Sequence, residues 1–298
     1  MEREGLTMEV AVFSDIHNNY EAFKACFSYC TGRGIDRYLL LGDYVSDCPE
    51  PEKTMELVYI LRDYFRSKFI RGNREDYFLN YRDRGATGWQ NGSASGTLLY
   101  TWEHLTDRDL YFFEKLPITD VWEEPGYPAI TLCHGAPDQS NGVLLKGRRN
   151  TRRVLSGIRT SVFLHGHHHE QEAYRYRDIN CINPGSIGVP WNEGGKAQFA
   201  ILKSDGGEWI EELVQLDYDR EAEYRAFAES GLMERAPAWA ALVMHTLRTG
   251  VDMTETVMLR ATQLCREDRG EVVWPDIPEK YWAQALLENR IDLQGRDI

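Results

Sequence analysis

Five short segments of this 298-residue sequence carry side chains that can bind divalent cations: Asp15-Ile16-His17, Gly42-Asp43, Gly72-Asn73, His134-Gly135 and Gly166-His167-His168-His169. Oxygen and imidazole donors without thiolates suit Mn²⁺, Fe, Zn²⁺, Co²⁺ or Ni²⁺ better than Cu⁺, and histidine argues against Ca²⁺. Gly42, Gly72, Gly135 and Gly166 leave the backbone free to turn sharply beside a crowded centre. In extended backbone, residues two apart point the same way, so Asp15 with His17, and His167 with His169, are each expected to approach a common cluster. The sequence has no GxSxG elbow, no phosphate-loop glycine-lysine pattern and no GxGxxG after a strand, which removes three rival chemistries.

The elements around these segments read as alternating strands and helices. Apolar, β-rich runs at 8–13, 38–43 and 68–73 predict strands, and helical spacing predicts helices at 19–30 and about 51–65. Each strand ends in a polar residue, and the carboxyl ends of strands gather on one edge in α/β sheets, so Asp15, Asp43 and Asn73 should converge. The Gly- and Ser-rich stretch 85–97 reads as a loop, with helices at about 74–82 and 97–115. A second set of strands is expected at 128–133, 161–164, 179–182, 197–202 and 208–216, with a helix near 147–157 between them. From about 217 the texture becomes long helical patterns broken by Gly and Pro.

The ordered set DxH, GD, GN, H and GHxH resembles the signature of the calcineurin-like metallophosphoesterase superfamily. Asn183-Pro184-Gly185-Ser186 is also similar to the NPGS segment of its small bacterial phosphodiesterase branch. The resemblance spans 15 to 186. It implies that Asp15, His17, Asp43 and His169 surround one metal, and that Asp43, Asn73, His134 and His167 surround a second, with Asp43 shared. The implied cofactor is two divalent transition-metal ions, manganese first, with Fe, Zn, Co or Ni as alternatives. The implied reaction is in-line attack on phosphorus by a hydroxide bridging the ions. Two such cations outweigh two carboxylates and one hydroxide, so the site would attract phosphate even in an acidic chain. Asp43, Arg74 and His134 are the expected catalytic residues, and Arg74, Gly185 and Ser186 the expected substrate contacts.

Several positions depart from the pattern or stand beside it. Many relatives have histidine after GN, where this chain has Arg74. Arginine stays protonated, so Arg74 can clamp phosphate but hardly act as a general acid; the alternative is a salt bridge with Glu75 or Asp76. His168 should point away from His167 and His169, towards packing or a supporting hydrogen bond, and His165 faces the same alternatives. His104 and His245 read as surface or interhelix histidines. The basic stretch 146–153 guides a phosphorylated ligand or is a solvated helix face. Gly185-Ser186 offers backbone N–H groups to an anion or is a plain turn. The tail stripes Trp239, Leu242, Val243, Leu247 and Trp282, Leu286, Leu287 pack on the preceding residues, form a dimer or shape the substrate mouth.

Composition bounds the rest. With 42% hydrophobic and 27% charged residues, the chain is an ordinary folded protein. Its 34 basic and 47 acidic residues give a net charge of −13, which opposes binding to extended nucleic acid. No apolar run is long enough to span a membrane, and the start MEREGLTMEVAVFS lacks a secretory pattern, so cytoplasmic is the expected location. The six cysteines show no CxxC pair and read as reduced thiols, with Cys26 and Cys30 on one core face of a helix. The expected fold class is α/β, a two-sheet β-sandwich flanked by helices with an α-helical C-terminal region. The expected division is a catalytic domain at 1–216 and a helical extension at 217–298. The expected function is dimetal phosphoester hydrolysis, phosphodiesterase or phosphatase, on a small nucleotide-like substrate. Homo-oligomers are allowed. The competing reading, raised by Arg74, is a sensor or scaffold that binds metal and phosphate without turnover.

Overall fold

The strand Glu9–Phe13 (β1) is apolar on both faces because both faces are covered. Ala11 and Phe13 pack towards helices, while Val10 and Val12 pack towards a second sheet. This double burial explains the continuous apolar run, since a strand with one wet face would alternate. The computed structural model describes residues 8–191, 194–205 and 207–298. Residues 1–7, the start of the stretch used to judge a secretory leader, lie outside the described residues.

The first half runs β1, α1 (Tyr20–Gly32), β2 (Arg37–Leu40), α2 (Pro51–Tyr64), β3 (Arg66–Phe69), α3 (Asn73–Asp83), α4 (Gly96–His104) and α5 (Asp107–Lys115). Then follow β4 (Thr119–Trp122), β5 (Ile130–Cys133), α6 (Arg149–Leu155), β6 (Val162–Leu164), β7 (Glu172–Tyr176), β8 (Ile179–Asn183), β9 (Ala197–Asp205) and β10 (Glu208–Leu216). The chain closes with α7 (Arg220–Glu229), α8 (Leu232–Arg235), α9 (Pro237–Thr249), α10 (Thr254–Arg269) and α11 (Glu279–Glu288). One mixed sheet has the order β10-β9-β1-β2-β3 and the other β4-β5-β6-β8-β7. β1, β2 and β3 are parallel neighbours, as are β5, β6 and β8, so their carboxyl ends lie together at one edge of the two layers.

The expected two-sheet α/β architecture with C-terminal helices is what the chain adopts. Cys26 and Cys30 are buried on one face of α1, and all six cysteines are free. Three local expectations are corrected. The helix expected over 97–115 is two helices, because Thr106 caps α5 by exchanging hydrogen bonds with Asp109 and breaks the first at Leu105. The polar edge strands β4 and β7 escaped notice, since neither carries an apolar run. In the last stripe Trp282 and Leu286 are buried, but Leu287 faces solvent.

One buried carboxylate ties the parallel strand ends together. Glu75, in the first turn of α3, accepts N–H bonds from Gly72 (2.8 Å), Asp43 (2.9 Å) and Tyr44 (2.9 Å). The loops after β2 and β3 are thereby locked side by side. They approach so closely that a Cβ on Gly72 would collide with the Asp43 carboxylate, which is why glycine precedes Asn73. Glu75→Gln turns one acceptor into a donor against a buried N–H, and is expected to cost about 2 kcal/mol. Urea denaturation of the ion-free chain measures this; an unchanged midpoint would remove Glu75 from the role.

Candidate metal centre

Asp15 follows β1, Asp43 follows β2, Asn73 opens α3 after β3, His134 follows β5, and His167 and His169 follow β6. The two layers bring all of them to one edge. Asp15, His17, Asp43, Asn73 and His134 are buried. Asp15, His17 and His169 offer ligand atoms within 4.8 Å of one another, and Asp43, His134 and His167 form a second such group. Asn73 joins the second through Oδ1, 3.1 Å from His134 Nε2. Asp43 lies between the groups, its Oδ2 3.3 Å from His134 Nε2 and 3.8 Å from His17 Nε2.

The backbone that aims these groups differs from the extended form expected. Asp15, His17, Asn18, Asp43 and His167 have φ of 54°, 50°, 61°, 52° and 66°, in the left-handed region. Each such residue costs roughly 1–3 kcal/mol and persists only where its surroundings impose it. Left-handed torsions replace the extended alternation, yet Asp15 and His17 still share one group as expected, and His167 and His169 serve different groups, as the resemblance implied.

The hydrogen bonds fix which atoms face inward. Asp15 Oδ2 accepts from Ser14 Oγ and from the His167 N–H, while Oδ1 is buried without a hydrogen-bond donor among the described residues, 3.3 Å from His169 Nε2. Asp43 Oδ1 accepts from the Arg74 N–H at 2.8 Å, leaving Oδ2 to the cluster. His134 Nδ1 must donate to the Leu41 carbonyl (2.8 Å) and His169 Nδ1 to that of Val189 (2.8 Å), because a carbonyl only accepts. Their Nε2 lone pairs then point into the cluster. His17 Nδ1 faces Asp47 Oδ2 at 3.0 Å, and its Nε2 lies 3.1 Å from His169 Nε2. Acceptors thus face acceptors. Only positive charge relieves that arrangement, and the N/O donors fit two divalent cations.

Charge perturbation agrees in direction. Burial opposes protonation of His17, but Asp15, Asp47 and Asp43 outweigh it and push the imidazole up to about 9. Burial likewise opposes a charge on His134, yet Asp43 and Asp15 push it up to about 9. His167 goes the other way, down to about 4, by burial and the neighbouring His134. Without ions, protons occupy the places that cations suit.

The other expected site residues fall variously. Arg74 pairs with neither Glu75 nor Asp76: its Nη2 lies 3.0 Å from Asp47 Oδ2, Glu75 holds the loops, and Asp76 pairs with Arg71 at 2.8 Å. Arg74 lines the cavity of about 200 Å³ that also reaches His17, Asp43, Asn73, His167 and His169. The substrate-contact expectation for Gly185 and Ser186 finds no exposed group to carry it. Both are buried; Ser186 Oγ donates to the Asp15 carbonyl (2.8 Å) and accepts from the Val189 N–H, and the Gly185 N–H goes to Asn183. His168 turns to Trp191 and Glu170, and His165 is buried against Phe163. His104 bonds the Tyr100 carbonyl, and His245 is buried within α9. The arginines of the 146–153 stretch are exposed and line neither this cavity nor the larger one beside it.

Sequence reasoning missed Asp47 and the reach of Trp239. Asp47 gathers His17, Arg74 and the indole N–H of Trp239 (2.9 Å), and the Arg74 charge, the His17 imidazole and the indole donor together overcome burial to hold its carboxyl far below the usual range. A second carboxylate four residues after Asp43 was the only available signal.

Comparison with known proteins followed the geometry. A family model described as "Calcineurin-like phosphoesterase superfamily domain" matches residues 8–207. The chain is 25% identical, over 77% of its length and 94% of the relative's, to an uncharacterized protein of Methanocaldococcus jannaschii. Among solved structures it resembles a hypothetical protein from Pyrococcus horikoshii (TM-score 0.67, 23% identity, 82% of this chain and 99% of that one). It also resembles a metallophosphoesterase from Sphaerobacter thermophilus (TM-score 0.62, 21% identity, 82% of this chain and 100% of that one). At these identities the structural likeness speaks to fold.

Ions that bind only the folded cluster must stabilise it, by about 2.7 kcal/mol at a hundredfold excess over Kd. Scanning calorimetry with Mn²⁺ against chelator should therefore show a clear rise in Tm, lost or much reduced in Asp43→Asn. An identical Tm in both conditions would count against the centre.

Proposed function

We propose that this chain, which belongs to the calcineurin-like phosphoesterase superfamily, is a metal-dependent hydrolase of phosphate esters acting on a small phosphorylated substrate. The observation that carries the reading is the cluster of buried acceptors facing acceptors beneath an open cavity, with Arg74 at its rim. In this reading Asp15, His17, His169 and Asp43 hold one ion, and Asp43, Asn73, His134 and His167 hold the other. Manganese is the first choice, and mixed N/O ligands also accept Fe, Zn, Co or Ni. Two divalent cations there supply Lewis acidity towards phosphoryl oxygens and towards water.

The side chains supply orientation and charge. Arg74 is braced by Asp47 on one side, and its buried Nε, 3.9 Å from Asp43 Oδ2, has no hydrogen-bond partner among the described residues, so the guanidinium keeps donors for a phosphoryl oxygen. Remaining protonated, it stabilises the developing negative charge without passing a proton to the leaving group. His17 is oriented through Asp47, and His134 and His169 through backbone carbonyls, which keeps each Nε2 aimed inward. The net charge of −13 supports a small substrate over extended nucleic acid.

The test is hydrolysis of bis-nitrophenyl phosphate, nitrophenyl phosphate and diadenosine tetraphosphate by the Mn²⁺-loaded chain, with metal content measured alongside. Turnover that depends on Mn²⁺ and disappears in Asp43→Asn supports the reading. No ester cleaved above background, with nucleotides still bound tightly, replaces it with a sensor. Arg74→Gln should lower kcat/KM about 100-fold while leaving metal stoichiometry unchanged; near-normal kinetics would refute the clamp.

A further inference from the structure

A second, larger cavity of about 670 Å³ opens beside the metal cavity and shares Asn73, Arg74, His167 and Trp239 with it. A ligand placed there can therefore extend to the phosphate position without leaving the cleft. Its size falls within the roughly 300–1,000 Å³ usual for small-molecule sites.

The lining is aromatic where a soluble surface would be polar. Tyr77, Tyr81, Trp89, Trp239 and Trp274 all face it, and Tyr77 and Trp274 remain 38% and 51% exposed. Tyr81 and Trp89 are already stacked on each other, with centroids 3.8 Å apart and planes within 5°. That leaves Trp239, Trp274 and Tyr77, whose ring carries the Arg74 guanidinium 5.7 Å from its centroid, as aromatic faces for a guest. Hydrogen-bonding groups sit among them, namely Asn80, Thr87 and Thr97, with Arg84 a second cation after Arg74. Among the described residues no Asp or Glu lines the cavity, in a chain with 47 acidic residues. Planar aromatic faces, scattered polar partners and purely positive charge suit a flat heteroaromatic ring carrying phosphate.

The cavity has its own support. The loop before α4 is pinned by Ser93, whose N–H and Oγ donate to the Glu279 carboxylate (2.7 and 2.6 Å) and whose Oγ accepts from the Ala238 N–H (2.8 Å). Trp239 on α9 and Trp274 before α11 complete the wall. The C-terminal helices thus shape a pocket next to the reaction site.

We propose that this cavity binds the nucleoside portion of the substrate, a base stacking among Tyr77, Trp239 and Trp274 while its phosphate reaches Arg74 and the metal cluster. The assignment of that nucleoside to a substrate rests on the phosphoester reading above.

Adenosine, which carries no phosphate, tests the cavity apart from hydrolysis. With the ion-free full chain, adenosine should quench tryptophan fluorescence saturably and ribose should not. Tyr77→Ala and Trp274→Ala, both at exposed positions, should each weaken adenosine binding about tenfold. Adenosine binding no better than ribose, or unchanged in both variants, overturns the proposal, and phenol binding as well as adenosine overturns the nucleoside assignment. A chain that binds adenosine but cleaves no ester fails the phosphoesterase reading alone; one that cleaves esters but ignores adenosine fails the pocket alone.

Discussion

Acceptor atoms crowded together away from water set the terms for the rest of the molecule. His17 and His169 bring ring nitrogens to 3.1 Å, and His134 Nε2 faces Asn73 Oδ1 at the same distance, with carboxylate oxygens closing the gaps. Left neutral, such a cluster would push its members apart. The fold resists by fixing each group from behind: Leu41 and Val189 carbonyls hold two imidazoles, Asp47 holds a third, and the N–H groups of Arg74 and His167 hold the carboxylates. Preorganisation of this kind costs free energy that a bound cation would offset.

The strain is visible in the backbone. Four of the residues offering ligand atoms, Asp15, His17, Asp43 and His167, adopt left-handed torsions that side chains avoid. Double-sided burial of β1 and β2 between helices and the second sheet supplies the rigidity to enforce them. The Glu75 carboxylate adds a local brace by gathering three N–H groups from two loops.

Much of this was legible in the sequence because strand ends and metal donors are local signals. The run 38–43, which ends in Asp43, or 161–164 followed by the histidine segment, announces both the strand and what it presents. What escaped lies in long-range geometry. The torsions at Asp15–Asn18 depend on Gly42 and Asp43 carbonyls from the neighbouring loop, which accept from the Asp15, Ile16 and His17 N–H groups. Ser186 looks like an exposed turn serine until β1 is laid against it. Asp47 has no meaning until His17, Arg74 and a tryptophan 192 positions away surround it. Polar edge strands β4 and β7 likewise acquire their conformation from the partner they pair with.

The indole N–H of Trp239 on Asp47 ties the wall of the larger cavity to the carboxylate that orients His17. A substitution at this tryptophan would alter the larger cavity and at the same time loosen the carboxylate behind an imidazole.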